Sequence, residues 1–407
     1  MKKYLFFLVF FIVSASIALN ALEPIFIPVK IDGPVHDPDN DTFWYGPFNE
    51  GHSVLDVNGD GTLDITCGAN WYEGPDWIKH EGFRDKDVVC EFPLDVNKDG
   101  RMDIVSGGWF ENGICWYENP GKTGVKWKTT KIMTQKSTEG LVVKDIDNDG
   151  DQDILINHWA NEPDQQLTWL ELLDDKPEFR VHLLGNKGNT HGGGVGDING
   201  DGRKDIVTSA GWYEAPQEPA EGEWIYHGEF QLPVYPEQEA SLGIIVFDIN
   251  GDGLNDFIYG NGHGYGLFWV EQQRGGKWTT HTIEDSFGQF HTLVLADVDQ
   301  NGIPDLVTGK RLRGHDGHDK SSFDPLFVFW YEINGGEFKR HVLYYNHLPW
   351  YKNMELKKTP PNYAIGGGTN ITVKDLNKDG LVDIVCSGKS GLYLFLNRGL
   401  PPTPRLE

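Results

Sequence analysis

The 407-residue sequence predicts an all-β chain closed into a seven-bladed β-propeller. Three observations carry that expectation. A nine-residue, aspartate-rich segment recurs seven times: "DVNGDGTLD" (56–64), "DVNKDGRMD" (95–103), "DIDNDGDQD" (145–153), "DINGDGRKD" (197–205), "DINGDGLND" (248–256), "DVDQNGIPD" (297–305) and "DLNKDGLVD" (375–383). Their starts lie 39, 50, 52, 51, 49 and 78 residues apart, close to the length that four short strands and their turns require. Each segment is followed by a short run rich in β-branched and aromatic residues, as in "DIVSGGWF" (103–110) and "DIVTSAGWYE" (205–214).

The elements follow in order within each repeat. A first strand leads into the aspartate loop and a second leaves it. A third holds a "WYE"-like segment, with Trp116 and Trp330 as examples. Those tryptophans are expected to pack between blades. A fourth strand alternates, as in "WKTTKIM" (127–133) and "WTTHTIE" (278–284). The last repeat stops after its third strand, "GLYLFLN" (391–397), while "PIFIPVKID" (24–32) reads like a fourth strand. The N-terminal strand is therefore expected to complete the last blade and cover an edge that would otherwise invite pairing. An open solenoid would need distinctive capping repeats, and the sequence has none.

The first 21 residues, "MKKYLFFLVFFIVSASIALNA", place two lysines before a short apolar run and small residues at Ser16, Ala18 and Ala21. That is the pattern of a secretory signal peptide. A retained anchor is the weaker alternative, because the run is short. Residues 22–407 are then expected to form one exported propeller domain, secreted or periplasmic. Removing Lys2 and Lys3 takes the formal charge from −26 to −28. So acidic a chain repels nucleic acid and anionic membrane surfaces. The four cysteines, Cys67, Cys90, Cys115 and Cys386, form no CxxC pair and are too few for a disulfide scaffold. Cys67 and Cys386 lie inside apolar strands and are expected to be buried thiols.

The loop pattern is D-x-[DN]-x-[DN]-G-x-x-D. Position 1 is Asp56, Asp95, Asp145, Asp197, Asp248, Asp297 and Asp375; position 3 is Asn58, Asn97, Asp147, Asn199, Asn250, Asp299 and Asn377. Position 5 is Asp60, Asp99, Asp149, Asp201, Asp252, Asn301 and Asp379; position 9 is Asp64, Asp103, Asp153, Asp205, Asp256, Asp305 and Asp383. Hard oxygen donors at alternate positions before a turn-forming glycine suit Ca²⁺. An EF-hand is excluded, because position 12 from Asp56 is Cys67 in a strand. The ninth aspartate is expected to supply the closing carboxylate. Metal-free Asx turns are the alternative, disfavoured by repulsion among so many acids. The sixth loop is expected to be weakest, since Asn301 stands where the others carry aspartate.

If the aspartate loops lie on one face, residues entering the first strand and leaving the second lie on the other. They include His52, Glu91, Glu139, His191, His291 and Asn370 before the loops, and Asn70, Trp109, His158, His263, Lys310, Arg311 and Lys389 after the second strands. Of these, His191, His263 and His291 come from blades 4, 5 and 6. Three histidines with an open position form a catalytic zinc arrangement, so these are the expected ligands of Zn²⁺ or another divalent transition metal, with His158 in reserve. His52, Glu91, Glu139 and His158 are candidate proton carriers. Lys310, Arg311 and Lys389 would supply positive charge to a carboxylate or developing enolate. Three long connections, 36–52, 311–325 and 344–368, extend the same face and bring Trp44, Tyr45, Trp350 and Tyr351 as flat surfaces for a sugar. Trp109 joins them as a substrate-binding candidate. The loop "HDGHD" (315–319) is either a metal site or a solvated turn. The glycines of "THGGGVGD" (190–197) are expected to thin the channel wall for a ligand.

With their "DI(V)xxxGW"-like second strands, the seven loops resemble FG-GAP or VCBS-type repeats of integrin-like propellers, over nearly the whole chain after the leader. That resemblance implies a calcium loop between the first and second strands of each blade. The repeats and the histidine-bearing face also resemble the propeller domain of fungal aldos-2-ulose dehydratase. That enzyme acts on keto-sugars such as anhydrofructose and carries cupin domains that these residues do not contain. The resemblance implies a carbohydrate-directed carbon–oxygen lyase, eliminating water or a sugar next to a carbonyl. A non-catalytic glycan-binding or adhesion propeller stays open as the alternative.

Overall fold

The computed structural model describes residues 23–401 except 34, 38–41, 45–49, 85–87, 109–112, 135–137, 159–165, 189–190, 233–239, 313, 315–317, 323 and 347–364. The alternating and apolar runs form seven four-stranded antiparallel sheets, plus a two-stranded hairpin, Val35–Asp37 with Thr42–Trp44. Blade 1 is His52–Leu55, Asp64–Cys67, Asn70–Glu73 and Ile78–His80. Blade 2 is Cys90–Leu94, Asp103–Gly107, Ile114–Glu118 and Lys128–Met133. Blade 3 is Thr138–Lys144, Asp153–His158, Leu167–Leu172 and Phe179–Gly185. Blade 4 is Gly193–Gly196, Asp205–Thr208, Gly211–Glu214 and Ile225–His227. Blade 5 is Ile245–Phe247, Asp256–Gly260, Tyr265–Gln273 and Lys277–Gly288. Blade 6 is Phe290–Ala296, Asp305–Lys310, Phe327–Asn334 and Glu337–Tyr345. Blade 7 is Ile371–Lys374, Asp383–Gly388, Gly391–Asn397 and, on its outer side, Phe26–Asp32, which pairs antiparallel with Gly391–Asn397.

What holds the ring is the apolar face that each twisted sheet offers its neighbour. Each adjacent pair of blades shares one buried cluster, and a seventh cluster joins blade 7 to blade 1 through Val385 and Leu394 against Val54 and Ile65. Each fully buried Leu, Ile or Phe in these clusters contributes roughly 1.5–3 kcal/mol. All four cysteines are buried free thiols inside or beside this packing. No helix among the described residues is long and apolar enough to cross a membrane.

The tryptophans of the third strands have a more specific partner than general packing. In five blades the indole stacks on a histidine of its own outer strand: Trp71 on His80, Trp169 on His182, Trp212 on His227, Trp269 on His281 and Trp330 on His341, with ring centroids 3.9 to 4.4 Å apart. The glutamate two residues after each tryptophan bonds the same imidazole, as Glu171 does His182 at 2.6 Å. In blade 2 a lysine takes the histidine's place: Lys128 lies over Trp116 and reaches Glu118 at 2.7 Å.

The ninth aspartate of each loop is a staple for the blade. It is buried, and in five of the seven loops its two oxygens accept backbone N–H groups from the loop and from the end of the third strand, whereas Asp305 takes Val298 N from the loop, at 2.9 Å. Asp205, for example, accepts from Ile198 N at 2.8 Å and Ala215 N at 2.9 Å. Asp64, Asp153, Asp256 and Asp383 repeat the arrangement, and Asp103 accepts from Asn119 N and Trp116 Nε1. Burial pushes these carboxyls up, to about 6 in Asp64, Asp103, Asp205 and Asp256, about 7 in Asp305 and about 8 in Asp153. Their first task is therefore to tie loop to strand, beyond the closing-ligand role expected from the spacing.

The glycines of blade 4 also act differently from expectation. A Cβ on Gly194 would lie 2.4 Å from Ile244 O, and one on Gly196 would lie 2.6 Å from Val246 Cβ. Gly193 O accepts from Ile244 N at 2.8 Å. These glycines let the first strand of blade 4 touch that of blade 5. They thin a contact between blades, and the expectation of ligand access is corrected accordingly.

Candidate metal centre

The first strands of blades 2 to 7 line a central cavity of about 340 Å³, walled by residues such as Leu141, Val195, Leu242, Ile244 and Leu293. His291 lines it and also belongs to a buried cluster at the end opposite the aspartate loops. That cluster contains Glu139, His191, His263 and His291, each able to offer one ligand atom, all within 4.8 Å of one another. Glu139 and His291 come from the first strands of blades 3 and 6, and His191 from just before that of blade 4. His263 follows the second strand of blade 5. The ring brings together residues that are 152 positions apart at the extremes, Glu139 to His291. The imidazoles of His191 and His263 lie 5.1 Å apart, and those of His263 and His291 4.8 Å apart.

Arg311, which directly follows the second strand of blade 6, ties the cluster together. Its Nε and Nη2 donate to Glu50 at 2.8 and 2.9 Å. Its Nη1 and Nη2 donate to Glu139 at 3.2 and 3.1 Å, and Nη1 also meets His291 Nε2 at 3.0 Å. All five guanidinium N–H groups are thereby engaged. Arg311 was expected to bind substrate; its donors instead hold the protein's own carboxylates, which corrects that role. Glu50, which the sequence reading did not single out, is one of its two anchors.

The electrostatics follow from burial and from this fork. Burial pushes the Glu139 carboxyl up, but Arg311 and His191 outweigh it and hold it well below the usual range. His191 Nε2 lies 3.1 Å from Glu139 Oε2. Burial, then Arg311 and His263, keep His291 neutral to well below its ordinary value. His291 Nδ1 is buried and has no hydrogen-bond partner among the described residues. Three imidazoles and a carboxylate, each able to offer a ligand atom within 4.8 Å of the others, suit a divalent transition metal, for which imidazole and carboxylate are good donors.

Several expected site residues have other duties. His52 bonds Ser387 Oγ at 2.7 Å and Thr372 Oγ1 at 3.0 Å, and burial lowers its pKa to about 3. With both nitrogens engaged it is a bolt between blades 1 and 7, which corrects its assignment as a proton carrier. Glu91 accepts from Thr66 at 2.6 Å and pairs with Arg84, which is itself fully buried. That pair bridges blades 1 and 2, so Glu91 is corrected in the same way. Lys310 is buried and donates to Ser321 O at 2.5 Å, and burial lowers its ammonium to about 7. Lys389 is buried in the turn after the second strand of blade 7. Asn370 donates to His52 O and Glu91 O, joining blades 1, 2 and 7.

The backbone of His158 ends the second strand of blade 3 opposite Thr138, and Trp44 ends the short hairpin; their side chains lie outside the description. Trp109, Tyr45, Trp350 and Tyr351 lie outside the described residues, as do residues 315–317 of the "HDGHD" loop.

On the opposite face, loop oxygens accept from their own backbone. Asp197 takes Gly200 N at 2.7 Å and Gly202 N at 2.8 Å, and Asp201 takes Arg203 N at 2.9 Å. In blades 3 and 6 the carboxylates also converge as possible cation ligands: Asp145, Asp147 and Asp153, and Asp297, Asp299 and Asp305. These are the two loops with aspartate at position 3, where the others carry asparagine. The sixth loop, expected to be the weakest, is thus one of the two in which three carboxylates meet.

Comparison with known proteins now adds to this geometry. A family model described as "FG-GAP-like repeat" matches residues 95–156 and 248–308. No curated protein sequence matches the chain. Among solved structures, the extracellular domain of BT4673 from B. thetaiotaomicron is 13% identical, with a TM-score of 0.48 over 90% of this chain and 40% of that one. The chain thus spans two fifths of that relative's length. BBS1N, solved in complex with ARL6DN, is 12% identical, with a TM-score of 0.48 over 93% of this chain and 99% of that one. An auxiliary nutrient binding protein from Bacteroides ovatus is 12% identical, with a TM-score of 0.43 over 83% and 84%.

Proposed function

The chain being a seven-bladed propeller of FG-GAP-like repeats, whose function resides in the site it displays rather than in its fold, we propose that it is an exported enzyme with a divalent metal centre. Glu139, His191, His263 and His291 would hold the ion. The observation that carries this reading is their convergence, buried, within 4.8 Å.

A bound divalent ion would polarise a substrate carbonyl and acidify the neighbouring C–H. The chain's own groups set the stage for that chemistry. Arg311 fixes Glu139 in place. Lys310, buried and bonded through Nζ to Ser321 O, is the group we assign to carry the proton to the leaving oxygen. The substrate class we assign is a keto-sugar or glycoside, with elimination next to the carbonyl. This assignment rests on the resemblance to dehydratase propellers, and export rests on the lysine-led leader. The aspartate loops would hold Ca²⁺ as scaffold ions.

A second reading, a non-catalytic glycan-binding propeller, is favoured by one observation: Arg311 spends every donor on the protein itself. A screen separates the two. The purified protein is incubated with oxidised (keto) and ordinary glycosides while ultraviolet absorbance follows enone formation. Absorbance that rises with keto-glycosides, and is lost in His191→Ala/His291→Ala, supports the enzyme. Binding without any rise in absorbance supports the second reading.

A further inference from the structure

We infer that Asp319 is a positioning residue of this centre, fixing His263 so that its Nε2 lone pair is offered to the ion. The inference rests on the metal reading above. His263 Nδ1 lies 3.0 Å from Asp319 Oδ2, and His263 and Asp319 are both nearly buried. A carboxylate at Nδ1 accepts the proton of that nitrogen, which sets the tautomer and leaves the lone pair on Nε2. Asp319 is itself held. Gln289 Nε2 donates to the same oxygen at 2.9 Å, and Gln289 O accepts from Arg311 N at 3.1 Å. Gly314 keeps the space open, since a Cβ there would lie 2.4 Å from Asp319 Oδ2 and 2.2 Å from Gln289 Oε1.

One connection therefore organises most of the centre. The segment after the second strand of blade 6 contributes Arg311, which grips Glu139 and meets His291, and Asp319, which grips His263. Three of the four candidate ligands take their orientation from this connection. Outer partners of this kind fix ring orientation and raise ligand basicity, and their loss typically weakens metal affinity 10–100-fold. The insertion at 311–325, which reads from sequence as an embellished loop, is on this account the element that converts a ring of histidines into a binding site.

The test uses the full chain, stripped with chelator and titrated with Co²⁺, whose visible absorption reports ligand geometry. Wild type should bind one equivalent. Asp319→Asn should bind about 10–100-fold more weakly, with a changed absorption spectrum and an unchanged apo melting temperature. If wild type binds Co²⁺ and Asp319→Asn binds within twofold of it, the role of Asp319 is overturned and the metal reading stands. If wild type binds none, both fail together. Should Asp319→Asn lower the apo melting temperature, Asp319→Glu decides. Restored melting with affinity still reduced supports positioning. Affinity and melting recovering together would make Asp319 merely structural and overturn the inference.

Discussion

Arg311 and Glu139 meet as a bidentate pair, Nη1 to Oε2 at 3.2 Å and Nη2 to Oε1 at 3.1 Å, although they belong to blades 6 and 3. The same guanidinium holds Glu50 ahead of blade 1. Three parts of the ring are thus joined through one buried fork. Removing one partner from such a pair leaves uncompensated charge and typically costs about 3–5 kcal/mol. Arg311→Ala is expected to lose that much in a denaturant titration. Arg311→Lys should recover little, because an ammonium cannot fill two carboxylates with a planar fork. A loss below about 1 kcal/mol, the scale of an exposed pair, would contradict the arrangement.

His52 gives a pH prediction with a definite sign. Burial lowers its folded pKa to about 3, so the folded state resists a proton that the unfolded chain accepts near 6.5. Its contribution to stability is complete above the unfolded value and is lost as pH falls toward the folded value. The stability advantage of wild type over His52→Gln should therefore shrink steadily as pH is lowered from about 6.5 toward 3.5. An advantage independent of pH would contradict the neutral, doubly bonded imidazole.

Gly194→Ala tests the contact between blades 4 and 5. Its Cβ would meet Ile244 O at 2.4 Å, backbone that cannot turn aside. Overpacking of this kind typically costs about 1–3 kcal/mol. Thermal melting should show the loss. An unchanged melting temperature would restore the view that this glycine serves ligand access.

Calcium in the aspartate loops predicts that EGTA lowers the melting temperature, and that added Ca²⁺ restores it in a concentration-dependent way. Charge substitution at position 3 should matter most in blades 3 and 6. Asp147→Asn or Asp299→Asn would then reduce the Ca²⁺-dependent shift. No response to EGTA would leave the loops as Asx turns, which the bonds from Asp197 to Gly200 and Gly202 already describe.

How much of this was legible from sequence depended on the range of each interaction. The aspartate loops are local, so their period exposed the blades directly. The convergence of His191, His263 and His291 followed from topology, because residues before first strands and after second strands share one face. The partners of His52 are Ser387 and Thr372, more than 300 residues away, and no spacing reveals them. Glu50 escaped because its partner Arg311 is 261 positions away, and Asp319 was read only as part of "HDGHD", since its contact with His263 spans 56 positions. The Trp–His–Glu stacks escaped because the tryptophan and histidine are 9 residues apart in blade 1 (Trp71, His80) and 15 in blade 4 (Trp212, His227). Strand pairing aligns them where sequence spacing does not.

The central claim is that the buried cluster is a metal centre. Elemental analysis of the purified protein, after dialysis against Ca²⁺-containing buffer freed of transition metals, tests it most directly. The account predicts close to one equivalent of zinc or another divalent transition metal per chain, lost in His191→Ala/His291→Ala while that variant stays folded. Calcium alone, with the same content in wild type and variant, would contradict it.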